Sequence, residues 1–97
     1  MTLKYDKDKP RWSLLPFKEA EEVVDVLTIG AKKYADDNWK TVPDRQDRYF
    51  SACLRHMTAW KIGELIDKET GRSHLAHAVC CLLFMMWGDN NESNKKA

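Results

Sequence analysis

Between Ser73 and Gly88 the chain runs HLAHAVCCLLFMMW, with no acidic or basic side chain apart from two histidines. Fourteen residues that are apolar nearly all round are too few to span a membrane, which takes roughly 18–20. They suit a helix that other protein surrounds. Ser73 is a good N-cap residue and Gly88 a good C′ residue, so the pattern predicts a helix bounded by them. In 97 residues there is little else to wrap such a helix. The expectation is that it packs against copies of itself in a homo-oligomer.

Two further helices are legible. Phe17, Ala20, Val24, Leu27, Ala31 and Tyr34 recur at three- and four-residue spacing, predicting a helix from about residue 16 to 35. Its acids come early and Lys32 and Lys33 come last, as the helix dipole favours. Tyr49, Cys53, Met57 and Trp60 predict a second helix from about 45 to 65. The segment DDNWKTVPD between them carries turn chemistry, as does DKETGRS after the second. The resulting expectation is an all-α, three-helix unit over 16–88, with an extended N-terminal arm (1–15) and a disordered polar tail (89–97).

Sixteen basic against fifteen acidic side chains, a net charge of +1, argues against a duplex nucleic-acid binder. Three cysteines, two of them adjacent, form no disulfide framework and fit a reducing compartment. The charged first eight residues contain no signal-peptide core. Host cell cytoplasm, with no membrane partner, is the expected setting.

Three constellations carry chemistry. His74, His77 and Cys81 fall within one arc of the apolar helix and suit a zinc ion, against the plainer reading of a capping histidine and a buried thiol. Glu19-x-x-Glu22 and Glu64-x-x-Asp67 are two carboxylate pairs of the kind that holds Mg²⁺, against their preference for helix ends and turns. Arg11, Trp12, Asn38, Trp39, Arg48, Arg55 and His56 combine guanidiniums for phosphate with indoles for a base, and His74 and His77 join them as nucleotide-binding candidates. The plainer reading makes Trp39 a loop anchor and leaves the arm cations solvated.

Taken in order, K-x-x-P-R-W-x-L-L-P (Lys7 to Pro16), G-A-K-K-Y-x-D-x-N-W (Gly30 to Trp39), L-R-H-x-x-A-W-x-x-G-E (Leu54 to Glu64), I-D-x-E-T-G (Ile66 to Gly71) and H-L-A-H-A (His74 to Ala78) resemble the N-terminal domain of phage dATP/dGTP diphosphohydrolases. The resemblance runs nearly from Lys4 to Trp87. It implies a bacteriophage or prophage origin, a fold related to the all-α MazG-like nucleoside triphosphate pyrophosphatases, and a purine nucleotide ligand. That wider class cleaves between the α and β phosphates with Mg²⁺ held by acidic pairs. Here the two pairs lie far apart in sequence, and His74 and His77 stand where the second acidic pair belongs. Imidazoles are poor Mg²⁺ ligands.

Two functions follow as expectations. In the first, the protein sequesters a purine nucleotide or a cyclic-nucleotide immune signal intact, as an anti-defence sponge without a cofactor. The alternative is a Mg²⁺-dependent purine dNTP pyrophosphohydrolase with Glu19, Glu22, Glu64 and Asp67 as metal ligands. The departure in the metal-ligand pattern tips the reading toward binding.

Overall fold

The computed structural model describes residues 7–92. Helix α1 spans Phe17–Lys33, α2 spans Arg45–Lys61 and α3 spans His74–Glu92. Short 3₁₀ turns at Trp12–Leu14 and Asn38–Thr41 precede α1 and α2. Among the described residues the only β-type pairing is an isolated bridge between Ile66 and Ser73. No helix there is long and apolar enough to cross a membrane.

Two expected boundaries shift. The second helix ends at Lys61 rather than near residue 65, because Gly63 adopts φ 109°, a conformation open to glycine at little cost. The third helix does not stop at Gly88. It continues to Glu92, so four residues of the expected tail are helical. Gly88 is buried inside the helix, with the Gln46 side chain lying where a Cβ would stand. Gln46 donates from Nε2 to Met85 O at 3.0 Å and to Asp89 Oδ1 at 3.1 Å. Here packing, not capping, explains the glycine. Of the expected arm, residues 1–6 lie outside the described residues, as do 93–97 of the tail. The other arm residues include the 3₁₀ turn at Trp12–Leu14.

The start of α3 is as expected. Ser73 Oγ accepts from the backbone N–H groups of Leu75 (3.1 Å) and Ala76 (3.3 Å), satisfying donors that a helix N-terminus leaves open.

Helix α3 is the common partner of α1 and α2. Its small residues set the two contacts. Ala76 and Cys80 meet Val26, backed by Val23, Leu27 and Phe84. Ala78 and Cys81 meet Cys53, backed by Tyr49, Ala52 and Met85. Small side chains let the helix axes approach closely, but they bury little apolar area. Among the described residues no large side chain is fully buried. Within one chain, α3 is therefore not enclosed on all sides: Leu82 is 48% and Met86 59% exposed.

Trp39 anchors its turn against α3, stacked on Phe84 at 4.3 Å and edge-on to Trp87 at 5.3 Å. Arg45, buried at the start of α2, lies over the Trp87 ring and donates to Lys40 O at 2.9 Å. These aromatic contacts fix the entry into α2 and hence the direction of its far end.

Candidate functional site

At that far end, the close of α2, the following loop and the first turn of α3 converge on five ionisable side chains. His56 comes from α2, Glu64 and Asp67 from the loop, and His74 and His77 from α3. The isolated Ile66–Ser73 bridge, with Asp67 N–H donating to Arg72 O at 2.8 Å, closes the loop back on itself. Gly71, at φ 72°, makes that reversal possible.

His74 is buried at the centre. Its Nε2 lies 2.7 Å from Glu64 Oε1, and its Nδ1 lies 2.9 Å from His56 Nδ1. A carboxylate only accepts, so His74 donates to Glu64. The three groups form a continuous carboxylate–imidazole–imidazole chain. His56 in turn stacks on His77, centroids 4.5 Å apart and rings 10° from parallel. His77 Nε2 shares a hydrogen bond with Thr70 Oγ1 at 2.7 Å and stands 3.5 Å from Asp67 Oδ2. The other oxygen of Asp67 accepts from Glu69 N–H at 2.7 Å, which fixes the carboxylate facing the histidines. Asp67 Oδ2 is also 3.9 Å from His56 Nδ1.

The electrostatics follow from burial and pairing. Desolvation pushes the affinity of His56 for a proton below its ordinary range, and the neighbouring His77 adds to the effect. Desolvation does the same to His77, against the pull of Asp67. The hydrogen bond from His74 holds Glu64 below the usual carboxylate range. For Asp67 burial is the largest influence and acts upward, but the Glu69 amide and the surrounding imidazoles together outweigh it and hold the group low. The result is two neutral imidazoles beside two ionised carboxylates, an arrangement common where protons or ligands are handled.

The site candidates from sequence separate. His56, His74, His77, Glu64 and Asp67 come together. Cys81 does not join the histidines; it is buried against Cys53 and Ala78, and burial pushes its thiol up to about 11. Glu19 and Glu22 instead line an apolar groove between α1 and α3, with Leu15, Val23 and Val79. Among the described residues the one group of three or more potential metal donors is His56, Asp67 and His77. The four acids expected to hold Mg²⁺ thus do not assemble within one chain. Two imidazoles with one carboxylate fit that oxygen-seeking ion poorly. Asn38 and Trp39 line a separate groove of about 560 Å³ with Gly30, Tyr34 and Tyr49. Trp12 is 74% exposed, and Arg11, Arg48 and Arg55 are exposed. Thr70, which sequence reasoning passed over, is a hydrogen-bond partner of His77. Its only sequence signal was its position in the turn seven residues before His77.

The profile of the N-terminal domain of dATP/dGTP diphosphohydrolases matches residues 1–97. The chain belongs to that family. A dATP/dGTP diphosphohydrolase of Salmonella phage PMBT28 is 37% identical over 89 residues, which are 92% of this chain and 30% of that relative. The chain therefore spans about a third of the relative's length. No solved structure matches. In this chain, every side chain of the cluster falls inside the segments that carried the resemblance. His56 and Glu64 lie in L-R-H-x-x-A-W-x-x-G-E, Asp67 and Thr70 in I-D-x-E-T-G, and His74 and His77 in H-L-A-H-A. Segments separate in sequence thus meet at one place in the fold.

Proposed function

We propose that this domain carries the reaction centre of a purine deoxynucleoside triphosphate diphosphohydrolase, at the His56–Glu64–Asp67–His74–His77 cluster. The observation that carries the reading is the Glu64–His74–His56 chain ending beside Asp67 and His77. The name of the phage relative supports hydrolysis over the sequestration that the sequence had favoured.

In the reaction, water attacks the α-phosphorus of dATP or dGTP. A new P–O bond forms, the bond to the oxygen bridging α and β breaks, diphosphate leaves and the monophosphate remains. The attacking water must lose a proton to a nearby acceptor. His56, His77 and the Asp67 carboxylate can serve that loss, directly as acceptors or through an ion they would hold. Glu64 and His74 orient His56 from behind. Arg55, exposed beside His56 on α2, supplies a guanidinium for phosphate.

The working unit in this reading is a homo-oligomer. The half-exposed apolar side chains of α3 and the lack, among the described residues, of any fully buried large side chain support it, since so small a core gains from a covered face.

The test is to incubate the purified protein with each dNTP and a series of divalent ions, denature it, and chromatograph the products. The expected products are dAMP or dGMP with diphosphate. Nucleotide removed from solution but recovered intact would instead establish sequestration.

A further inference from the structure

We propose that His56, Asp67 and His77 form a binding site for a borderline transition-metal dication of the zinc and cobalt type, with Glu64 and His74 as its supporting shell.

The donor set comes first. Two imidazoles and one carboxylate are the ligands that zinc and its neighbours accept, and three protein ligands leave coordination positions open for water or phosphate. One donor atom from each of the three residues lies within 4.8 Å of the other two. Donors sharing a tetrahedral ion, each bonded at about 2.0–2.2 Å, stand roughly 3.0–3.6 Å apart. The 3.5 Å between Asp67 Oδ2 and His77 Nε2 falls in that interval and is long for a hydrogen bond.

The second observation is independent of the donors. Metal-bound histidines are generally held from their other nitrogen by a carboxylate or another acceptor, which fixes the tautomer. Here His74 donates from Nε2 to Glu64. In a neutral His74 ring Nδ1 is then an acceptor, and His56 donates to it from Nδ1 at 2.9 Å. That leaves the lone pair on Nε2 of His56, whereas Nδ1 is the nitrogen 3.9 Å from Asp67 Oδ2, so taking up an ion requires this imidazole to turn. Asp67 is likewise held by the Glu69 amide through the oxygen that does not face the imidazoles. Asp67 is thus braced before any ion arrives, and His77 exchanges its Thr70 hydrogen bond for the metal. The α1 acids Glu19 and Glu22 have no part in this site.

The inference stands apart from the diphosphohydrolase reading, because it concerns an ion alone and no nucleotide enters its test. Metal-free protein is titrated with Co²⁺, followed by its visible d–d absorption, and with Zn²⁺ in competition. The expected result is one site per chain, with bands of a nitrogen- and oxygen-ligated ion, displaced by Zn²⁺ but not by a large excess of Mg²⁺. His77→Ala and, as the gentler change, Asp67→Asn each weaken binding at least tenfold while circular dichroism shows the helices retained. The absence of binding in the wild-type protein, unchanged affinity in both variants, or a thiolate-to-cobalt band in the near ultraviolet would overturn the proposal, the last because it would place the ion on cysteine.

Discussion

His74 holds Glu64 at 2.7 Å from one side of its ring and His56 at 2.9 Å from the other. A single buried imidazole on α3 thus ties the loop after α2 to α2 itself. Removing it takes the imidazole donor from Glu64 Oε1 and leaves His56 Nδ1 without its ring partner. His74→Ala should lower the free energy of unfolding by about 1–3 kcal/mol, the cost of orphaning polar groups in a buried network. Urea denaturation measures it. A change within experimental error would mean that the chain is ornamental.

Stability should also fall with acid in a defined order. His56 and His77 take up protons less readily folded than the ordinary 6.5. Between their folded values and 6.5 the unfolded chain binds more protons, so stability declines as pH drops below 6.5. Glu64 and Asp67, held low, withdraw their contribution only at lower pH, as it falls through their folded values. Thermal unfolding across pH 5–8 of metal-free protein should show the first decline, and a His56→Gln/His77→Gln variant should flatten it.

The cysteines should be inert in the native state. Burial pushes the Cys80 thiol up to about 12 and Cys81 up to about 11, and Cys53 is buried with them. A thiol reagent at pH 8 should react with all three only after denaturation. Rapid labelling of the native protein would show that α3 opens readily.

At Gly88 two effects oppose each other. Alanine improves a helix interior by about 1 kcal/mol, but its Cβ meets the Gln46 side chain, whose two hydrogen bonds to α3 would be disturbed at a similar cost. Gly88→Ala alone should therefore bring no gain. In a Gln46→Ala background the same change should stabilise by about 1 kcal/mol, and a double-mutant cycle by denaturation reads the coupling.

The parts of this fold that were legible in sequence are those governed by local chemistry. Apolar spacing located all three helices, and Ser73 marked the start of α3. Gly88 misled because a glycine inside a helix and one ending it look alike until the neighbouring side chain is seen. His77 could be singled out as a candidate, but its meeting with Thr70 and Asp67 was hidden in a turn whose closure depends on the Ile66–Ser73 pairing. That the Glu64 and Asp67 pair stands apart from Glu19 and Glu22 is a matter of how α1 lies on α3, which no spacing encodes. Cys81 shares an arc with His77 on a bare helix, yet packing against Cys53 takes it into the core.

The central claim is that the cluster at the α2–α3 junction, and not the α1 acids, carries the chemistry. The most direct test compares diphosphate release from dGTP and dATP by wild-type protein, Asp67→Asn and Glu22→Gln under identical conditions. The account predicts a loss of about 10²-fold or more for Asp67→Asn and near-wild-type turnover for Glu22→Gln. Loss of activity in Glu22→Gln with Asp67→Asn unaffected would contradict it.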